Sequence, residues 1–178
     1  MKIKEIVKKV KIPEGVSFEM NGNIMKISGP KGIIGKKNLE KNIEIKKEGG
    51  FVIVRSLKVN KKGKRSAGTL FSIIRNCLRG VQEGYEYKLK ICSGHFPMNV
   101  SVTGKEIIIK NFLGEKHPRR CVVKGDVEVK LNKEEISIRG IDREVTGQAA
   151  AAIEQTTRIT NKDRRIFQDG IYITSKPE

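Results

Sequence analysis

The 178-residue sequence has no tryptophan, and only 5% of its residues are aromatic. Few large side chains are therefore available for aromatic cores or for stacking on unpaired bases. The sequence also lacks the apolar run of about 18 residues that a membrane-spanning helix needs. Residues 1–11 alternate lysine with apolar residues and do not form the apolar centre of a signal peptide. We therefore expect a cytoplasmic protein that does not bind a membrane.

Cysteine and histidine are also scarce. The three cysteines, Cys77, Cys92 and Cys121, are odd in number and widely spaced, so a disulfide framework is not expected. Cys92 with His95, followed by His117 with Cys121, has spacings that zinc accepts. A predicted hairpin separates these pairs, a proline closely follows each histidine, and no acidic or polar neighbours would orient the imidazoles. We predict no metal and no cofactor, with zinc as the alternative.

The sequence offers no catalytic signature. Neither histidine stands in a Ser/His/Asp or Cys/His arrangement, and no close carboxylate pair is flanked by apolar residues. We predict no catalytic residues and no small-molecule substrate, so the chain is not expected to be an enzyme.

A glycine-rich run at residues 29–37 resembles a phosphate-binding loop. Its spacing is wrong, because Pro30 stands where a Walker loop needs glycine and Lys37 stands where serine or threonine binds magnesium. A GXXG clamp at residues 29–32 should connect two helices, whereas strand patterns flank it here. The run is predicted to be a basic connection between strands.

The most abundant feature is positive charge. Lysine and arginine number 37 against 20 acidic residues, a net charge of +17, which indicates a polyanionic partner, foremost nucleic acid. Residues 1–95 carry 22 basic and 8 acidic residues (+14), and residues 96–178 carry 15 and 12 (+3). The alternative is that the lysines form only a solvated surface.

The sequence repeats itself at an offset of 84 residues. Residues 42–46 (NIEIK) return as 126–130 (DVEVK), and residues 52–55 (VIVR) return as 136–139 (ISIR). Each half also contains a helical stretch followed by a glycine-led aromatic segment, at 84–87 and 170–173. The chain is predicted to be two copies of one unit, residues 1–94 and 95–178.

Each half is predicted to contain hairpins and one helix. Period-two alternation around glycine-containing turns predicts hairpins at residues 16–27 and 100–109, and a second strand pair follows in each half. Helical spacing of apolar residues predicts helices over residues 70–81 and 149–157. The predicted fold class is α+β, with two tandem repeats of an antiparallel sheet that has one helix packed on it.

Three basic clusters carry the functional signal. They are Lys58, Lys61, Lys62, Lys64 and Arg65, predicted as a loop before the first helix; Lys116, Arg119, Arg120 and Lys124, predicted as a loop between strands; and Arg158, Lys162, Arg164 and Arg165, after the second helix. Basic loops on a rigid sheet reach phosphates, and few aromatics accompany them. We expect recognition of folded RNA by shape and backbone.

Longer runs resemble a known family. They are residues 95–100 (HFPMNV), 111–116 (NFLGEK) with Arg119 and Arg120, and 156–158 (TTR) leading to 161–172 (NKDRRIFQDGIY). With shorter matches at residues 12–14, 29–32, 80–81 and 84–88, they are similar to the large-subunit ribosomal protein six family. The resemblance is to its eukaryotic and archaeal branch, known in eukaryotes as large-subunit protein nine.

This resemblance implies a duplicated α+β fold and a non-catalytic role in the large ribosomal subunit. It implies a position near the stalk base and the sarcin-ricin region, with neighbouring large-subunit proteins as partners and translation factors nearby. In this family the C-terminal unit makes the main ribosomal RNA contact through the segment after its helix. The resemblance therefore favours as RNA-binding residues Arg158, Asn161, Lys162, Arg164 and Arg165, together with Lys116, Arg119 and Arg120. The basic clustering adds Lys61, Lys62, Lys64 and Arg65, in a loop that lacks the tryptophans common in eukaryotic relatives. The alternative is an RNA-binding protein that works outside the ribosome.

Overall fold

The computed structural model describes residues 6–38, 40 and 42–177. Residues 1–5, which belong to the alternating N-terminal segment considered above, lie outside the described part. The chain divides into two compact units, Met1–Gly84 and Tyr85–Glu178. Each is built from antiparallel sheets and one helix, which confirms the predicted α+β repeat. Within the described residues, neither helix is long and apolar enough to cross a bilayer.

The first unit has two three-stranded antiparallel sheets among its described residues, in the orders β1-β6-β5 and β2-β3-β4. The elements are β1 (Ile6–Lys11), β2 (Ser17–Asn21), β3 (Ile24–Gly29), β4 (Gly32–Lys37), β5 (Ile43–Glu48), β6 (Phe51–Ser56) and α1 (Lys61–Gln82). α1 contacts strands of both sheets. Its buried face includes Leu70, Ile74 and Leu78, which confirms the helix predicted from their spacing.

The second unit repeats this plan with one additional strand. Its elements are β7 (Tyr85–Cys92), β8 (Asn99–Thr103), β9 (Glu106–Lys110), β10 (Arg119–Val122), β11 (Val127–Asn132), β12 (Glu135–Gly140), α2 (Arg143–Thr156) and β13 (Gly170–Ser175). The sheet orders are β10-β9-β8 and β11-β12-β7-β13. Ala149, Ala150 and Ile153 of α2 are buried in the core. A Cβ on Gly147 would lie 2.9 Å from the Tyr87 hydroxyl, so small residues bring α2 close to its sheet.

The strand β7 explains why the unit boundary differs from the one expected at residue 94. β7 pairs with β12, placing Tyr87 opposite Ile138, and with β13, placing Ile91 opposite Ile171. In the first unit β1 has the corresponding place beside β6. β7 is therefore the counterpart of β1 and opens the second unit. The glycine-led segments at 84–87 and 170–173, interpreted as equivalent ends of two halves, contribute to neighbouring strands of one sheet.

The glycine-rich run at residues 29–37 was predicted to be a connection between strands, but only Pro30 and Lys31 are the connection, and Gly32–Lys37 is strand β4 itself. It forms the hairpin of β3 and β4, with Gly29 opposite Gly32. The N–H of Lys31 donates to the carbonyl of Val81 at 2.9 Å, and this bond fixes the turn against the end of α1. A Cβ on Gly29 would meet the Val81 side chain and carbonyl at 2.8–2.9 Å. Glycine is therefore needed here for close packing of the turn on the helix.

Substitution of Gly29 by alanine should destabilise the first unit. We expect the free energy of unfolding to fall by about 1–3 kcal/mol, because an extra methyl group in a full contact forces the backbone apart. Gly35→Ala is the matched control, since a Cβ on this β4 residue meets nothing within 4 Å. Urea denaturation of both variants measures the difference, and equal stabilities would contradict the packing role of Gly29.

Candidate nucleic-acid interface

The segment between α2 and β13, residues 158–168, is termed here the post-helix loop. Its start is fixed by Thr157 and Ile159, which are both buried. The Thr157 hydroxyl donates to the carbonyl of Glu154 at 3.1 Å and accepts from the N–H of Ile171 at 2.9 Å. The Glu154 carboxylate accepts from the N–H of Ile173 at 3.0 Å. The helix end and β13 are thereby joined before the loop leaves the core.

The end of the loop is fixed by Asp169, whose residue surface is only 2% exposed. Its carboxylate accepts from the N–H groups of Gly94 and His95, the second at 3.1 Å, and lies 3.0 Å from His95 Nδ1. Burial alone raises the pKa of this carboxyl group. The hydrogen bonds from Gly94 and His95 outweigh burial and hold the pKa below its ordinary value of 3.8. Asp169 is therefore a charged anchor between the loop and the end of β7.

Local contacts order the interior of the post-helix loop. The Asp163 carboxylate accepts from the N–H of Arg165 at 2.9 Å, and the Asp163 carbonyl accepts from the N–H of Phe167 at 2.9 Å. The Phe167 ring lies 4.9 Å from the His95 ring, and Lys162 Nζ lies 4.6 Å from the Phe167 ring centre. The loop thus has a defined path without regular secondary structure.

The basic side chains of this loop point outwards. Arg158, Lys162 and Arg164 are exposed and form no ion pair within the described residues. Arg165 is 90% exposed and pairs with Asp163 at 2.8 Å; this hydrogen bond lowers the pKa of Asp163. The structure therefore brings the third predicted cluster together on one ordered segment. Asn161 lies in the same loop and has a left-handed backbone (φ 59°).

The second predicted cluster is not a single loop. Arg119 and Arg120 lie in β10, and only Lys116 and Lys124 lie in the segments that flank it. Strand pairing with β9 explains the difference, because Arg119 pairs with Ile109 and Cys121 pairs with Ile107. Sequence reasoning missed this strand because its four residues contain two arginines.

Arg119 turns inwards and holds the end of α2. Its guanidinium donates to the carboxylate of Glu115 at 2.6 and 2.8 Å and to the carbonyls of Thr156 and Arg158 at 2.8 and 3.1 Å. It also lies 4.3 Å from the Phe112 ring centre. The hydrogen bond from Arg119 lowers the pKa of Glu115. α2 has no basic residue in its last turn, so this guanidinium from β10 donates to the carbonyl of its last residue, Thr156, and to that of Arg158 just beyond the helix.

Arg119→Ala should therefore reduce stability, because the carbonyls of Thr156 and Arg158 lose this donor. We expect a loss of about 1–3 kcal/mol in the free energy of unfolding, as for other hydrogen bonds to charged groups. If Arg119 only positions the post-helix loop and contacts no phosphate, the slope of log affinity for RNA against log salt should be the same in Arg119→Ala as in the natural chain. Arg120→Ala is the control, because Arg120 is exposed and lies 3.7 Å from Glu106. A smaller salt slope for Arg119→Ala, with unchanged stability, would instead indicate a direct phosphate contact.

The first cluster was predicted as a loop, and this is wrong for four of its five residues. α1 begins at Lys61, so Lys61, Lys62, Lys64 and Arg65 occupy its first turns. The missed signal is Asn60, whose side-chain oxygen accepts from the N–H of Gly63 at 2.7 Å and caps the helix. No acidic residue lies in this first turn, whereas α2 has Asp142 as its cap and Glu144 in its first turn. Positive charge therefore accumulates at the positive end of α1.

Cys121 and His95, one residue from each candidate zinc pair, are occupied by contacts with other parts of the second unit. Cys121 is buried in the core of the second unit, and the His95 ring contacts Asp169 and Phe167. Among residues 6–38, 40 and 42–177, no three or more histidine, cysteine or acidic side chains form a group that could hold a metal ion.

These observations define a class of protein: a duplicated α+β protein that presents basic side chains on an ordered loop and at a helix start. The family model described as ribosomal protein L6 matches residues 12–84 and 96–170. The chain belongs to the ribosomal protein L6 family, which confirms the resemblance noted in the sequence. Its membership also makes it a non-enzymatic protein.

Full-length relatives support the assignment. The chain is 41% identical over 174 residues to the large ribosomal subunit protein uL6 of Methanothrix thermoacetophila, covering 98% of this chain and 99% of the relative. It is 44% identical over 176 residues to the protein of that name from Desulfurococcus amylolyticus, covering 97% and 96%. The protein of that name from Haloarcula marismortui is 43% identical over 168 residues, covering 94% of each chain.

Proposed function

We propose that this protein is a structural constituent of the large ribosomal subunit, in the cytoplasm, where it binds and braces ribosomal RNA. The observation that carries the proposal is the post-helix loop, which is anchored at both ends and exposes four basic side chains. A preordered loop loses little conformational entropy on binding. Each arginine or lysine that meets a phosphate releases condensed counterions, and this release provides much of the affinity for RNA.

The second unit is proposed to make the main contact. The arginines of its post-helix loop suit bidentate pairing with phosphate oxygens, whereas lysine acts as a point charge. Asn161 lies between Arg158 and Lys162 on the same ordered backbone. Arg120, Lys116 and Lys124 supply further positive charge around β10. Arg119 has a positioning role, because its donors are occupied within the unit.

The first turns of α1 are proposed as a further contact. Cationic side chains at a helix N-terminus oppose the helix dipole by about 0.3–1 kcal/mol each at low salt. Lys61, Lys64 and Arg65 also line a shallow groove of about 620 Å³ along α1, together with Thr69, Ser72 and Asn76. An RNA phosphate at this helix end would be attracted both by these cationic side chains and by the positive end of the helix dipole, and it would offset the repulsion between them.

The site of assembly follows from the resemblance to the family. We propose that the protein lies near the stalk base and the factor-binding region, beside other large-subunit proteins, with translation factors docking nearby. The relatives named above are called large ribosomal subunit proteins.

Binding of the purified chain to ribosomal RNA tests the function. Affinity for large-subunit and small-subunit RNA is measured by filter binding at several salt concentrations. We expect tighter binding to large-subunit RNA, with a slope of log K against log salt of roughly −3 to −7 for about four to eight phosphate contacts. Equal affinity for both RNAs, without a discrete footprint on either, would argue for an unspecific cationic surface.

A further inference from the structure

A cleft opens beside the post-helix loop in the second unit. It has a volume of about 660 Å³ and lies between the turn that follows β7 and the second half of the loop. Its lining includes Ser93, His95, Arg164, Ile166, Gln168 and Tyr172. The volume falls within the range of about 300–1,000 Å³ that is typical of small-molecule sites.

Two exposed apolar side chains line this cleft. Tyr172 is 41% exposed and Ile166 is 63% exposed. The Tyr172 hydroxyl donates to the carbonyl of Asp169 at 3.4 Å, which restricts the orientation of the ring. Tyr172 and Arg164 also line an adjoining cleft of about 260 Å³. A flat aromatic ring and a guanidinium are thus available to a ligand from the same opening.

The remaining groups suit the polar edge of an aromatic ligand. Ser93, His95 and Gln168 bring hydroxyl, imidazole and amide groups to the lining of the same cleft as Tyr172 and Ile166. Arg164 lines the cleft and belongs to the basic post-helix loop, so the ligand is expected to carry negative charge next to its aromatic part. An unpaired nucleotide within an RNA chain has a flat base, a polar edge and a flanking phosphate, and therefore matches all three features.

The walls of the cleft are held in place before a ligand arrives. Asp169 ties the turn at Gly94 and His95 to the end of the loop, and Phe167 lies against the His95 ring. Stacking on a preoriented ring requires little reorganisation, and one base stacked on an aromatic side chain contributes substantially to affinity. These contacts hold the turn and the loop together, so a ligand meets a formed cleft.

We propose that this cleft binds one unpaired nucleobase of the ribosomal RNA, stacked on Tyr172, while Arg164 contacts an adjacent phosphate. The proposal rests on the proposed RNA-binding function and adds to it a contact with a base. It also revises the expectation of recognition by shape and backbone alone: the sequence has few aromatic residues, but the fold places one at the mouth of the basic loop.

The test compares Tyr172→Leu with Tyr172→Phe, which keeps the ring and removes only the hydroxyl. Each full-length chain is bound to deproteinised large-subunit ribosomal RNA. Hydroxyl-radical cleavage maps the RNA backbone, and base-modifying reagents map unpaired bases. With the natural chain and with Tyr172→Phe, we expect one unpaired base to be protected within the backbone footprint. With Tyr172→Leu that base should become reactive again, the backbone footprint should persist, and affinity should fall roughly 5- to 100-fold.

A second measurement uses the unaltered chain, so it does not depend on the folding of a variant. Ultraviolet irradiation of its complex with the same RNA should attach a nucleotide to the peptide that contains Tyr172 or Cys92, because both line the cleft. Identical base reactivities with all three chains and a crosslink elsewhere would overturn the nucleobase proposal while leaving RNA binding intact. Absence of any backbone footprint with the natural chain would overturn the proposed function as well.

Discussion

Reversal of both charges in Arg164→Glu/Arg165→Glu should lower the affinity for large-subunit ribosomal RNA by about 100-fold or more at about 0.1 M salt. Each lost phosphate contact removes roughly one unit of salt slope, equivalent to about tenfold in affinity at this salt concentration. The introduced carboxylates also repel the RNA. Arg165 is already paired with Asp163, so its reversal places two like charges in contact and disturbs the loop as well.

Lys61→Glu/Lys62→Glu is the matched control, because it changes the net charge by the same amount. We expect a smaller loss, since lysine lacks the bidentate geometry of arginine and these side chains lie at the start of α1. Variants expressed in cells and followed through gradient-sedimented large subunits report assembly directly. Equal incorporation of the two double variants would refute the ranking that makes the post-helix loop the main contact.

Asp169→Ala should lower the free energy of unfolding by about 2–4 kcal/mol, because it removes the acceptor of the N–H groups of Gly94 and His95. A buried donor left without a partner costs more free energy than an ordinary hydrogen bond contributes to stability. Asp169→Asn retains one carbonyl oxygen and should be clearly milder. Urea denaturation of the natural chain and both variants gives the differences, and an alanine variant as stable as the natural chain would show that the anchor contributes nothing.

The same anchor predicts a pH dependence. Hydrogen bonds hold the folded-state pKa of Asp169 below 3.8, despite the opposing effect of burial. Its stabilisation is therefore complete above about pH 4 and decreases as the pH falls through the folded-state pKa. In Asp169→Asn this part of the acid destabilisation should be absent. Comparison of the two unfolding curves between about pH 2 and pH 5 measures it.

Local patterns predicted the elements of the fold better than their assignment to units. The hairpin at β2 and β3 follows from alternation around Gly22, and α1 follows from the spacing of Leu70, Ile74 and Leu78. The place of β7 could not be read from the sequence, because its pairing with β12 and β13 is decided by contacts between distant segments. A glycine-led strand has the same local composition whether it ends one unit or begins the next.

Part of the candidate site could likewise be predicted from the sequence, and part depends on contacts between distant segments. The basic residues of the post-helix loop stand out as a run in the sequence, and the structure presents them together. The inward direction of Arg119 depends on the carbonyl of Thr156 at the end of α2, 37 residues away, which no local pattern reveals. The cleft beside Tyr172 likewise combines the turn after β7 with a loop more than 70 residues further along the chain.

The central claim is that this chain is a structural component of the large ribosomal subunit. Quantitative mass spectrometry of large subunits purified from the source cells, after washing in high salt, tests it most directly. We expect about one copy of the chain per large subunit, retained together with proteins of the stalk base. Recovery of the chain mainly outside the subunits, or far below one copy, would contradict it and favour an RNA-binding protein that works elsewhere.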